Sequence, residues 1–346
     1  MPIRIKYVGL MARDRMIITQ APLRATTAGG GTDLPSFYRM HGPGAVVNFA
    51  ITKYVTIFVS KNFFPDTIRV SYSKTEIVKS IDELQHPTVR EALRLLNIEG
   101  GVEILSHSDI PAQGTGLGSS SSFLVALLHA LHAWKGESLS QDELAAEAVK
   151  IARWILKEPG GQQDEYAAAR GGINLMEFNK DDSVNVKPII MNGTSRIDFE
   201  DHLMLLYTGR QRSASPLLKA QSDKAEGNID AYKKMRDLAY DTEKALSKGD
   251  IDEVGRIMHQ NWELKKSLDK QISNNEIDRL YGLALKNGAI GGKLIGAGGG
   301  GFLLLVAHPS KRDKLRSILE KNGLSEQKFS IDYYGSRVIF VGQQKS

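Results

Sequence analysis

Cysteine is absent from the 346 residues. That excludes disulfides, thiolate metal sites and a cysteine nucleophile, and it fits a reducing compartment, so the expected location is cytoplasmic. Long apolar runs are absent too. Stretches such as Phe302–Ala307 fall far short of the ~20 residues a spanning helix needs, so no membrane contact is expected. No block of Lys/Arg stands out. Forty-five basic residues against forty acidic ones give a formal charge of +5, scattered along the chain, and this argues against a nucleic-acid footprint. The first fifteen residues carry Arg4, Lys6, Arg13 and Arg15 but no apolar core, so no signal peptide is expected. Met11 and Met16 are alternative starts, and residues 1–15 read as an extension with no role in the fold. What remains is ordinary globular composition. Hydrophobic residues make up 41% and charged residues 25%, enough for a core without a staple, and the length suits two domains.

The patterning is α+β in two halves, with a boundary near 190–200, so the expected domains are 1–195 and 196–346. In the first half a short strand over Met16 to Gln20 ends at Pro22. Strands follow over Ala45 to Ser60 and Thr67 to Tyr72, then a helix over Pro87 to Leu96 and a strand over Val102 to Leu105. Helices are expected over Ser119 to Trp134, with Phe123, Leu127, Leu131 and Trp134 on one face, and over Leu144 to Leu156. A short helix over Tyr166 to Arg170 leads into a strand at Asn174 to Phe178. In the second half His202 to Tyr207 and Phe302 to Ala307 read as strands, and Ser330 to Val341 as the last. Pro216 to Lys248, Ile251 to Leu268, Glu276 to Asn287 and Lys311 to Asn322 read as helices, with Gly288 as a C-cap.

Two glycine runs and two acids carry the chemistry. Gly114-Thr-Gly116-Leu117-Gly118-Ser119-Ser120-Ser121-Ser122 lies between an expected strand and an expected helix. Glycines let backbone N–H groups approach an anion, and the helix adds free N–H groups and its positive dipole end. No Gly-Lys-Ser/Thr follows, so this is not a Walker A loop, and serine fills the third glycine position of a dinucleotide fingerprint. A flexible turn with a capping serine is the alternative. The second run, Gly296 to Gly301, contains a literal G-x-G-x-x-G, but a helix is expected before it and a strand after it, the wrong context for a dinucleotide fold. It is either a tight turn or a cleft lining beside Lys293. Asp164 follows the break at Gly160-Gly161. Asp33 follows Gly29-Gly30-Gly31. From the residues alone each reads first as a helix cap or turn residue, and second as a group that binds or deprotonates a hydroxyl.

Taken together, three segments resemble the GHMP kinases. Pro22-Leu-Arg24 through Gly29-Gly30-Gly31-Thr32-Asp33 is similar to the first motif of that family. Pro111 through Ser122 is similar to its phosphate loop, the most specific of the three, and Lys293 through Gly301 to its glycine-rich third motif. The resemblance spans nearly the whole chain from Met16. Ala28 to Asp33, Gly161 to Tyr166, Gly171 to Phe178 and Tyr207-Thr-Gly209 bring it nearer one branch, the kinases that phosphorylate C1 of D-glycero-D-manno-heptose 7-phosphate, whose product feeds GDP-heptose synthesis for surface glycans. The resemblance implies an N-terminal domain like ribosomal protein S5 domain 2, a ferredoxin-like C-terminal domain, and ATP with Mg²⁺. It puts the ATP phosphates along Gly114, Gly116, Leu117, Gly118, Ser119, Ser120 and Ser121, with Ser120 as the Mg²⁺ ligand and Asp164 as the catalytic aspartate. Gly30, Gly31, Thr32, Asp33, Gly298 and Gly299 would face the substrate, Asp33 through sugar hydroxyls. Arg24, Arg212 and Lys293 are the candidates for the charge of a substrate phosphate or the transferring phosphoryl.

One departure matters. Related sugar kinases carry a glutamate, a second Mg²⁺ ligand, on the helix before the catalytic aspartate. Here Ala152 stands at that position, between Lys150 and Arg153. Ser120, ATP and waters could hold the cation alone, or Glu147 or Glu158 could take over, or activity is weak. Two further alternatives remain open: another sugar kinase of the fucose or galactose type, and a non-catalytic binding protein of the same fold. The expected partners are ATP and a sugar or sugar phosphate, and a homodimer is left open.

Overall fold

Pro22 does not end the first strand. In the computed structural model, which describes residues 15–111, 114–210 and 214–343, β1 runs over Arg15–Ala28. The register with its neighbour shifts between Pro22 and Leu23. Such an irregularity absorbs a residue with no N–H to donate. Across it, Ala21 to Ala28 are buried without interruption.

The first half continues with α1 (Pro35–His41), β2 (Gly44–Lys61), β3 (Ile68–Ser71), β4 (Thr75–Val78), α2 (Pro87–Leu95), β5 (Val102–Ser108) and α3 (Ser119–Trp134). Then come α4 (Gln141–Val149), α5 (Gln163–Arg170), β6 (Ile173–Phe178) and β7 (Val184–Pro188). The second half holds α6 (Gly193–His202), β8 (Leu203–Tyr207), α7 (Ala214–Asp223), α8 (Ile229–Lys248), α9 (Ile251–Leu268), α10 (Asn275–Lys286), β9 (Ala289–Leu294), β10 (Phe302–Ala307), α11 (Pro309–Lys321), β11 (Ser325–Glu326) and β12 (Arg337–Gln343). The first sheet has the order β12-β1-β2-β5-β3-β4, with β6 and β7 continuing from β2. The long β2 makes this possible: its first part pairs with β6 and its last part with β5. The second sheet, β11-β8-β10-β9, is antiparallel throughout. Sheet and helix are therefore mixed, as the α+β patterning requires, and β12 returns from the far end of the chain to lie against β1.

Several elements differ from the expected ones. The expected helix Pro216 to Lys248 is two, α7 and α8, joined by a 3₁₀ turn over Glu226–Asn228. Gly227 and Asn228 sit at this junction, and both are weak helix formers. The expected helix Leu144 to Leu156 is α-helical only to Val149. Lys150–Ile155 is a π-helical turn, closed by the Leu156 N–H donating to the Ile151 carbonyl at 2.9 Å. The last strand begins at Arg337, because Asp332 accepts from the Tyr334 and Gly335 N–H groups and bends the chain before it. The structure adds β7, β9 and α6, the last capped by Asn192, which accepts from Ser195 N–H at 2.8 Å. Helix α3 is buried nearly all round, well beyond the stripe through Phe123 and Leu127. Among the described residues no helix is long and apolar enough to cross a membrane.

His132 ties α3 to α4. Its Nδ1 meets Glu137 at 2.8 Å and its Nε2 meets Glu147 at 2.7 Å. Two carboxylate partners require both ring nitrogens to carry protons. Burial pushes the imidazole down, but the bonds to Glu147 and Glu137 outweigh it and the net direction is up. An imidazole raised above its unfolded value stabilises fully below ~pH 6.5, and the contribution disappears as pH rises through the folded value. The melting temperature of the protein therefore falls between pH 6 and pH 9. His132→Gln flattens that slope and costs about 1–2 kcal/mol at pH 6, a figure reduced for the exposure of Glu137. Thermal unfolding over that pH range checks it, and an unchanged slope in the variant would rule the clamp out.

Candidate active site

The three glycine-bearing segments meet at one cavity of about 510 Å³. They meet backbone to backbone. A Cβ at Gly116 would lie 2.3 Å from the Ile295 carbonyl oxygen, one at Gly296 would lie 2.5 Å from Gly116 Cα, and one at Gly301 would lie 2.4 Å from the Thr115 carbonyl oxygen. Only glycine permits these approaches. The segment before this run is the strand β9, not a helix, so Ile295 to Gly301 links two antiparallel strands. The first motif joins through β1, where Arg24 N–H donates to the Leu117 carbonyl at 3.0 Å.

Arg24 and Asp164 form a two-pronged pair. Nε donates to Oδ1 and Nη2 to Oδ2, both at 2.7 Å, and Nη1 donates to the Gly116 carbonyl at 2.5 Å. The fork that could have met a substrate phosphate is thus committed to Asp164 and the loop, and it fixes the plane of that carboxylate. Asp164 lies in the first turn of α5, where the helix dipole favours an anion. A Cβ at Gly118 would lie 3.4 Å from Asp164 Oδ2, so the loop passes directly beside it.

The loop serines divide by what they hold. Ser121 Oγ donates to Glu165 at 2.8 Å, Ser122 Oγ to the Pro22 carbonyl at 2.7 Å, and Ser119 Oγ lies 3.5 Å from Thr115 Oγ1. The Ser120 side chain makes no hydrogen bond to the described residues, is exposed and lines the cavity. Gly118 caps α3 with φ +77° and no side-chain bond, which leaves the first N–H groups of α3 available to an anion. Of the two glutamates considered for the metal, Glu147 is bound to His132 and lies outside the cavity wall. Glu158 lines the wall and pairs only loosely with Arg153, at 3.8 Å. No group of three or more His, Asp or Glu among the described residues is arranged to hold an ion.

Asp33, also in the cavity lining, is buried. Its Oδ1 accepts from Gly31 N–H at 3.0 Å and its Oδ2 from the Gln163 side chain at 3.1 Å, while Thr26 Oγ1 donates to Gln163 at 2.8 Å. Burial, and after it the nearby Asp164 charge, push the Asp33 carboxyl up. Gly30 and Gly31 line this wall. Thr32 does not: its hydroxyl donates to the Ala45 carbonyl and accepts from the Ala45 N–H. Gly298 and Gly299 pack on Ile272, and Gly296 and Ala297 take their place in the wall. Lys293 is 1% exposed and reaches the cavity. Arg212 lies outside the described residues.

The wall also holds groups that were not among the residues expected from the sequence, Arg153, Gln163 and Lys265 among them. Arg153 donates to the Gly161 carbonyl at 2.8 Å and to Glu165 at 2.7 Å. Lys265 Nζ donates to the Gly296 carbonyl at 2.9 Å. Its signal was present in the pattern, since Lys265 continues the buried helical stripe Val254, Met258, Asn261, Leu268 of α9. A lysine on such a face is either paired or functional.

Comparison with known proteins follows the same lines. Residues 81–172 match the GHMP kinases N terminal domain and residues 242–324 match the GHMP kinases C terminal domain. A D-glycero-alpha-D-manno-heptose 7-phosphate kinase of Campylobacter jejuni subsp. jejuni serotype O:2 is 31% identical over 93% of this chain and 98% of its own. An L-fucokinase/L-fucose-1-P guanylyltransferase of Bacteroides fragilis is 26% identical over 89% of this chain, which spans only 36% of that longer protein. Among solved structures, a D-glycero-D-manno-heptose 1-phosphate kinase from Bacteroides thetaiotaomicron superposes with a TM-score of 0.78 at 27% identity, covering 94% of this chain and 99% of that one.

Proposed function

This chain belongs to the GHMP kinase family, and from that premise we propose that it transfers the γ-phosphoryl group of ATP to the anomeric hydroxyl of D-glycero-D-manno-heptose 7-phosphate. The observation that carries the reading is the Asp164 carboxylate, held by Arg24 between the glycine-serine loop and the Asp33 wall. Gly114 to Ser121 and the α3 N-terminus bind the ATP phosphates. Asp33 and Gln163 position the sugar hydroxyls. Asp164 accepts the proton of the attacking hydroxyl as its oxygen bonds to phosphorus and the bond to the ADP oxygen breaks. Arg24 keeps the carboxylate in plane, so catalysis is mainly positioning and electrostatics.

The donor set suits a partly hydrated Mg²⁺, with the uncommitted Ser120 hydroxyl first and Glu158 second. When bound, the cation neutralises phosphate charge. The position of Glu158 in the wall favours it over Glu147, whose carboxylate is engaged by His132.

ATP consumption should be measured with Mg²⁺ against D-glycero-D-manno-heptose 7-phosphate, sedoheptulose 7-phosphate, mannose, fucose and galactose. Turnover with the heptose phosphate is expected to exceed that with any neutral sugar by at least tenfold. Preference for fucose or galactose would replace the substrate assignment and keep the kinase. ATP binding without turnover on any sugar would support the non-catalytic alternative.

A further inference from the structure

Resting on the reading of this cavity as a sugar-kinase site, we infer that Lys265 and Lys293 together form a subsite for a phosphate group already carried by the acceptor. The two lysines come from different elements, α9 and β9, and both line the cavity from buried positions. Lys265 uses one donor, on the Gly296 carbonyl at 2.9 Å. Lys293 makes no hydrogen bond or ion pair with the described residues. The other cations of the wall are matched: Arg24 by Asp164 and Arg153 by Glu165. That leaves Asp33 as the acid facing both lysines, and its oxygens already accept from Gly31 and Gln163. The two buried lysines thus share the partly occupied Asp33, and the further acid facing Lys265, Asp164, is already held by Arg24. A buried charge without partners is costly and is retained where a ligand completes it.

What completes it must be a dianion with several oxygens. A phosphate monoester supplies both the charge and the acceptors, whereas a neutral sugar supplies neither. Lys265 reaches the Asp33 segment, and both lysines sense the Asp33 charge. A Cβ at Gly30 would lie 4.0 Å from Lys265 Nζ, while the loop at Gly114 to Ser121 and the α3 N-terminus offer the nucleotide phosphates their own donors. The charges facing the pair are Arg24 on β1, Asp33 after β1 and Asp164 on α5, besides the two lysines themselves. Burial pulls the Lys265 ammonium down to about 8. Burial, the Lys265 charge and Arg24 pull Lys293 well below its ordinary range. An incoming phosphate favours the charged forms, so binding takes up protons and weakens as pH rises.

The test is direct binding by calorimetry to the whole protein, with D-glycero-D-manno-heptose 7-phosphate, the same heptose without phosphate, and MgATP as separate ligands. In the native chain the phosphorylated heptose binds at least tenfold tighter than the free one, with proton uptake seen as a buffer-dependent heat. In Lys293→Met, and less severely in Lys265→Met, that preference collapses to within about threefold, and the loss falls on the phosphorylated sugar and not on MgATP. The ligand-free Lys293→Met protein melts at or above the native temperature, because a buried amine without hydrogen-bond partners among the described residues has gone. Lys293→Gln provides a second variant if the methionine does not fold. Retention of the preference in both lysine variants overturns the subsite. So does an equal loss for MgATP, which would give the lysines to the transferred phosphoryl. Phosphate-dependent binding that is lost in Lys293→Met, without ATP consumption on any sugar, keeps the subsite and overturns the kinase. Equal turnover of phosphorylated and free heptose does the reverse.

Discussion

Asp164→Asn should lower kcat by about 10²–10⁴-fold, the range for losing a positioned proton acceptor, while the affinity for MgATP stays within about threefold. Two effects combine. The carboxamide cannot take the proton of the attacking hydroxyl. It also presents an N–H₂ to one arm of the Arg24 fork, which now donates to both carboxylate oxygens at 2.7 Å. In the proposed mechanism the ATP phosphates are assigned instead to the Gly114 to Ser121 backbone and the α3 N-terminus, which this exchange does not touch. Steady-state kinetics and equilibrium binding of MgATP check both halves. Near-normal turnover in the variant would remove Asp164 from the mechanism, and a parallel loss of MgATP binding would make its role structural.

How much of this site could be read from the sequence depended on how local each signal was. The glycine-serine loop was legible because the function proposed for it is carried by the backbone and by the helix that follows, both set within a dozen residues. Asp164 and Asp33 were visible as acids beside glycine breaks, but their cap and catalytic readings are locally identical. Only the family resemblance favoured the catalytic one. The partner of Arg24 was not legible, since Asp164 lies 140 residues away, and an arginine in a phosphate motif looks the same whether it meets phosphate or carboxylate. The π-helical turn at Lys150–Ile155 was hidden because its residues keep the apolar spacing of an α-helix while the ladder slips by one. Pro22 misled for the opposite reason: a local breaker was overridden by strand pairing on both sides of a register shift. Glu147 illustrates the limit of offset arguments. It lies close to Ala152 in sequence, yet its carboxylate is claimed by His132 from α3.

The π-helical turn also carries the second large effect. Arg153 leaves it to reach Glu165 at 2.7 Å, and Ser121 of the phosphate loop donates to the same carboxylate oxygen. The pair thus joins the turn, α5 and α3 directly behind Asp164. Glu165 is fully buried and Arg153 nearly so. Arg153→Met should therefore destabilise the protein by roughly 3–5 kcal/mol at pH 8, the cost of leaving a buried charge without its partner. The loss should depend on pH in a definite direction. Burial already pushes the Glu165 carboxyl up to about 7, against the lowering effect of Arg153, and removing the guanidinium raises it further. A carboxyl raised above its unfolded value contributes stability below ~pH 4.3 and loses it as pH rises through the folded value. The gap between native and variant therefore narrows from pH 8 to pH 5. Adding Glu165→Gln to Arg153→Met removes the charge while keeping an acceptor for Ser121, and should recover most of the stability at pH 8. It should not recover turnover. The Arg153 Nε–H also holds the Gly161 carbonyl at 2.8 Å, and Gly161 packs so tightly on Asp33 that a Cβ there would lie 1.8 Å from Oδ2. Releasing that segment loosens the wall around Asp33 whatever the state of Glu165. Denaturant unfolding at the two pH values, with kcat/KM for each variant, separates the contributions. A double variant that regains both stability and turnover would reduce Arg153 to a counter-ion.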